Sequence, residues 1–262
     1  MTSESFYLYL PSSVNNTRIV NKLNHFVTKL QQIKYLDTSR EYEVALISLS
    51  YPRTVFNAYY AYITYWSWEI EAKVELSSLA DGQYNSALEL IEEIHVALGS
   101  DAKYYKFTFD SRRNKISVLA KRKEGSKEGD ILLKMSPNLQ ILTGFTAPID
   151  KEGNTTAELE WDVTGGMGQI FCYSNIVASD VTVGDASAPL LFSTAYNNKG
   201  DFGQQILYEV RNPVYVPVAV DRIEDIEIEF RNKTSEYFKF TSGEVVLLLN
   251  IRAKPNFNYG LF

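Results

Sequence analysis

The chain has 262 residues, 45% hydrophobic and 22% charged, enough apolar material to bury a core without disulfide or metal staples. A formal net charge of -6 excludes a general field for gathering polyanions, so nucleic acid contact is at most minor. The single cysteine, Cys172, excludes an intramolecular disulfide and a cysteine-based zinc centre, and no segment reaches the roughly 18 to 20 consecutive apolar residues of a membrane-spanning helix.

Period-two alternation opens the chain and predicts strands over 5–10, 26–30, 42–50 and 60–76. The last of these is crowded with aromatics. Split by parity, Tyr60, Tyr62, Trp66, Trp68, Ile70, Ala72, Val74 and Leu76 read as its core face. On the other face Tyr59, Ala61, Ile63 and Tyr65 precede Glu69, Glu71, Lys73 and Glu75, so an apolar half-strand is expected to emerge as a candidate interface. A helix follows: Ser86 and Glu89 have capping-box spacing, Ala87, Leu90, Ile91, Ile94 and Leu98 share one face, and Gly99 stops it. Tyr105, Phe107 and Phe109 alternate with Lys106 and Thr108, and another strand is predicted over 115–121. Around that strand sits a local basic concentration, Arg112, Arg113, Lys115, Lys121, Arg122, Lys123 and Lys127, a candidate contact for an acidic neighbour or packaged nucleic acid. A second, short helix is predicted over 138–143, with Ser136 as cap, Pro137 in the first turn and Gly144 as stop. Strands over 169–176, 190–196, 205–210, 223–230 and 244–252 complete the chain, and in the last Val245, Leu247, Leu249 and Ile251 form one wholly apolar face.

So many strands against two short helices exclude a βαβ fold and predict an all-β, single jelly-roll sandwich. No repeat or Pro/Gly/Ser linker divides the chain, so one domain over 1–262 is expected, with loop inserts near 121–130 and 147–162 and a C-terminal tail, 253–262.

Chemistry is sparse. His25 and His95 belong to no HExxH, HxH or Cys/His spacing, and each reads as an ordinary residue, His25 before a strand and His95 on the helix surface beside Glu92. Cys172 lies in an apolar stretch and reads as an inert thiol. The run Gly165, Gly166, Gly168 lacks phosphate-cradle spacing and reads as a flexible turn, while Glu224 to Glu229 alternate with isoleucines as a solvent face does. The expectation is no enzyme, no cofactor and no metal. A carbohydrate-binding sandwich module and a receptor-binding protein are the alternative readings; a sandwich hydrolase is weaker, lacking a visible carboxylate pair in a cleft.

Several stretches carry a resemblance: FYLYLPSS with VTKL after it, EYEVALISLSYPRTVFN, SPNLQILTGF, FCYSNIVASDVTVGDASAPLLF, NPVYVPVAVDRIEDIEIEF and TSGEVVLLLNIR, in this order over about 6–252. Together they resemble the minor capsid (penton) proteins of Polinton or Maverick elements and adintoviruses, relatives of virophage pentons. The intervening loops and the aromatic tail 256–262 are not matched. The resemblance implies a jelly roll standing at a five-fold vertex of a virion, assembled inside the host cell as a homopentamer and surrounded by trimers of a double-jelly-roll major capsid protein.

Overall fold

The computed structural model describes residues 5–14, 20–69, 73–124, 131–196 and 200–255. In chain order, β1 (Ser5–Pro11), β2 (His25–Tyr35) and β3 (Tyr42–Pro52) come first. Next are β4 (Tyr62–Ser67), β5 (Lys73–Ser78), α1 (Ala87–Leu98), a 3-10 turn (Gly99–Lys103), β6 (Tyr105–Asp110), β7 (Lys115–Ala120), β8 (Leu133–Met135), α2 (Pro137–Thr143) and β9 (Gly153–Thr156). Then follow β10 (Gln169–Ser174), β11 (Val181–Val183), β12 (Ala186–Ala188), β13 (Leu190–Ala195), β14 (Gln205–Glu209), β15 (Val216–Pro217), β16 (Arg222–Arg231) and β17 (Val246–Ala253).

The chain divides into two compact units, residues 1–55 with 168–262, and residues 56–167. In the first unit one sheet runs β1-β17-β3-β14, with β15 also on β3, and the other runs β13-β10-β16-β2. Setting β15 aside and taking the other eight strands in sequence, the first lies beside the last, the second beside the seventh, the third beside the sixth and the fourth beside the fifth, all antiparallel. That nested pairing across two sheets is the jelly roll. The expected single domain over 1–262 spans both units: residues 56–167 lie in the chain between β3 and β10, and no linker composition marks where the chain passes from one unit to the other.

Alternation sets the inner faces of the jelly roll. Val245, Leu247, Leu249 and Ile251 are all fully buried, as the pattern predicts, as are Phe26, Ile170, Cys172, Ile226, Ile228 and Phe230 on the second sheet. β3 changes parity partway: Leu49 and Tyr51 are buried, then Leu46 and Val44. A register shift against β17 between Leu248 and Leu249 skips Ile47 and turns the strand over, the work of a bulge.

The second unit has two three-stranded sheets, β5-β4-β8 and β6-β7-β9. Helix α1 starts as predicted, with the Glu89 N–H donating to Ser86 Oγ at 3.2 Å. The Glu89 carboxylate accepts from the Asn85 N–H, one residue earlier than a capping box requires. Helix α2 ends at Gly144, φ 80°, but Ser136 does not cap it: its hydroxyl oxygen accepts the Tyr62 N–H at 3.1 Å and so ties α2 to β4. The 147–162 insert is not a bare loop, since β9 pairs with β7 and Ala157 is buried. Nor is Gly165 merely flexible. Its φ is +57° and a Cβ there would stand 2.4 Å from the Asn57 carbonyl oxygen, so the close approach itself demands glycine.

Candidate functional site

The predicted strand over 60–76 is a hairpin. β4 pairs antiparallel with β5, Tyr62 opposite Ser78 and Trp66 opposite Val74. Its faces are reversed from the expectation: Ala61, Ile63 and Tyr65 are buried in the core of the second unit, with Tyr65 edge-on to Tyr105 at 6.1 Å. Tyr59 is half-buried and its N–H donates to Asn138 Oδ1 at 3.1 Å. These four residues therefore do not offer the exposed face expected of them. The even face is the open one over most of its length, with Tyr62 38%, Val74 50% and Leu76 60% exposed and Trp66 half-buried beside them, while Trp68 alone on that face is buried as expected among the described residues. Ile70 and Ala72 lie outside the described residues.

The basic residues do not converge. Arg112 and Arg113 sit in the turn that follows β6, where Arg113 Nε lies 3.7 Å from Asp110. Lys121, Arg122 and Lys123 follow the opposite end of β7, a strand of six residues and so about 20 Å long. Lys115 Nζ donates to the Ala157 and Glu158 carbonyls, Arg122 faces Glu152 at 4.0 Å, and Lys123 Nζ donates to the Trp68 carbonyl at 3.2 Å. Lys127 lies outside the described residues. Each placed cation with a named partner fastens its own locality.

His95 is not a free surface residue. It is half-buried, and its Nε2 accepts the Phe107 N–H at 3.1 Å, occupying a backbone donor of β6 from α1. Burial, with the nearby Lys106 charge, holds its pKa below the ordinary imidazole value. A histidine with a depressed folded pKa contributes stability that is complete above its unfolded pKa, about 6.5, and is lost as pH falls from there toward the folded pKa. The second unit should accordingly unfold at a lower temperature at pH 5 than at pH 7.5, and His95→Gln should flatten that decline. Calorimetric scans across this range are the check; an equal decline in the variant would remove His95 as its cause.

Cys172 is buried among the inner side chains of the jelly roll, and burial pushes its thiol well above the ordinary range, which makes it inert. His25 is different. It begins β2 directly opposite Glu229 of β16, and its Nε2 lies 2.6 Å from Glu227 Oε1 and 3.8 Å from Glu229 Oε1. Tyr237 stacks on the imidazole, centroids 5.6 Å apart and 16° between planes, and Arg231 lies over the same tyrosine at 4.4 Å. Arg231 also grips Glu229 Oε2 at 2.6 Å. Glu227, Glu229 and Arg231 line a cleft of about 430 Å³ with Tyr173, Asn175 and Pro189. A histidine bonded to a carboxylate is half of a nucleophilic relay. Among the described residues its polar side-chain contacts are carboxylates, so no hydroxyl or thiol completes the relay. Sequence offered only one hint of this cluster, the alternation that puts Glu227 and Glu229 on one face; the partner His25 is 202 positions away from Glu227.

No protein-family model matches the chain, and no curated protein does. Among solved structures it is similar to the mavirus penton protein, with 13% identity, 95% of this chain and 100% of that chain covered, and a TM-score of 0.47. It is also similar to a chain in the cryo-EM structure of the Sputnik virophage, with 13% identity, 96% and 98% covered, and a TM-score of 0.44. Among the described residues no helix is long and apolar enough to cross a membrane.

Proposed function

We propose that this chain is a structural protein of a viral shell, the penton subunit that closes five-fold vertices as a homopentamer among trimers of a double-jelly-roll major capsid protein. The observation that carries the reading is the nested eight-strand order of the first unit. Five of the sequence blocks that resemble Polinton, Maverick and adintovirus pentons fall on that frame, FYLYLPSS on β1, EYEVALISLSYP on β3, FCYS on β10, RIEDIEIEF on β16 and VVLLLNIR on β17; SPNLQILTGF falls on α2 of the second unit. A five-membered ring needs a heterologous contact, one surface of a subunit against a different surface of the next. Two separate apolar surfaces are available for it. One is the open face of the β4–β5 hairpin; the other is β1, an edge strand whose Tyr7 and Tyr9 are 65% and 68% exposed. In this reading the virion is the protein's location, and its chemistry is adhesion rather than catalysis.

Mass measurement of the purified chain over a concentration series, with particle imaging, tests the reading. Five-membered rings, and density for this chain at the five-fold positions, are the expected result; particles that carry it elsewhere would overturn it. Val74→Ser with Leu76→Ser should abolish the ring while shifting the subunit's own stability by no more than about 1 kcal/mol, about 0.5 for each exposed substitution. Rings that survive both changes would assign the contact to another surface.

A further inference from the structure

We propose that His25, Glu227 and Glu229 form a binding site for one divalent transition-metal ion of the zinc class. One imidazole nitrogen and two carboxylate oxygens lie within 4.8 Å of one another. An ion with bonds of about 2.0 to 2.2 Å spans that separation after small side-chain rotations. The positions are built by strands rather than by loops. Glu227 and Glu229 project from one face of β16 because they are two residues apart, and the register sets His25 opposite Glu229. Mixed nitrogen and carboxylate donors select borderline ions such as zinc and cobalt; calcium and magnesium take all-oxygen shells.

The groups around the donors hold them as an outer shell holds ligands. Tyr237 lies flat against the imidazole and fixes its plane. Arg231 takes Oε2 of Glu229 at 2.6 Å, while Oε1 is the oxygen nearest His25. The Tyr237 hydroxyl donates to that Oε1 at 3.4 Å. With a neutral imidazole, two carboxylates against one guanidinium leave an excess negative charge for a cation to neutralise. All three donor residues are half-buried, which limits screening by salt. An ion here would tie β2, the edge strand of its sheet, to β16. The competing occupant is a proton on His25, which would leave a simple ion pair with Glu227. One chain supplies every donor, so the inference stands apart from the capsid reading.

The full chain, stripped with a chelator, should be titrated with zinc by calorimetry and with cobalt by its visible absorption. One equivalent should bind, and the unfolding temperature should rise with it. Outer-shell changes typically cost 10 to 100-fold in affinity, so Arg231→Gln should weaken binding about 10-fold and His25→Ala at least about 100-fold. Glu227→Gln keeps the side-chain shape and should weaken zinc comparably to His25→Ala, which separates lost ligation from lost fold. No uptake by the unaltered chain, or unchanged affinity in His25→Ala, would overturn the proposal and leave the proton-bridged ion pair.

Discussion

Replacing Tyr65 by serine should lower the stability of the 56–167 unit by about 3 to 5 kcal/mol, the range for removing a buried aromatic side chain. Tyr65 is 6% exposed and packs edge-on to Tyr105, itself fully buried. Serine leaves a cavity on that side and forfeits the ring-ring contact, which alone is worth about 0.5 to 1.5 kcal/mol. A volume-conserving Tyr65→Phe should recover most of the loss, because the cavity dominates. Urea denaturation followed by far-ultraviolet circular dichroism would register the change as a lower midpoint. A serine variant that unfolds like the parent would return Tyr65 to the surface, and with it the original expectation of an exposed face.

The second large effect is expected at Asp101. Its carboxylate, 2% exposed, accepts the Ser67 hydroxyl at 2.6 Å and the Trp68 N–H at 2.9 Å, both at the end of β4. Asp101→Ala takes the carboxylate acceptor away from both the Trp68 N–H and the Ser67 hydroxyl, the latter in a fully buried position. Losing a buried acceptor costs about 1 to 3 kcal/mol per bond, so a total of about 2 to 6 kcal/mol follows. Asp101→Asn retains an oxygen for the Trp68 N–H and turns its amide toward a serine hydroxyl that can accept. Its cost should be less than half that of alanine. Thermal scans of the two variants would show the ranking, and equal losses would mean that the charge, rather than the paired donors, carries the contribution.

Asp101 also explains why the hairpin was illegible. Sequence reasoning finds turns through glycine, proline, asparagine and aspartate, and 68–72 reads Trp-Glu-Ile-Glu-Ala. The chain leaves β4 where a carboxylate from the 3-10 turn more than thirty positions on takes the backbone of Trp68. A run without turn residues therefore reads as one strand, and the parity inferred across it inherits the mistake. Where the determinants are local, legibility was high. Helix α1 was visible from its cap, its apolar face and Gly99; β17 from the buried period-two run Leu247, Leu249 and Ile251, which Val245 begins just before the strand. β9 (Gly-Asn-Thr-Thr) carries no apolar alternation to betray it and exists because the edge of β7 accepts it. Of the polar cluster only the two glutamates were legible as a pair. His25 joins them through strand register, which one sequence does not print.

The insertion of 56–167 between β3 and β10 also partitions the chain's natural spectroscopic labels. All three tryptophans, Trp66, Trp68 and Trp161, belong to the inserted unit, and the sole thiol, Cys172, is sealed between the sheets of the jelly roll. Indole emission during denaturation thus reports one half of the molecule, and the rate at which a thiol reagent gains access reports the other. A single unmodified sample can follow both halves at once, and the delay between the two signals measures directly how tightly their unfolding is coupled.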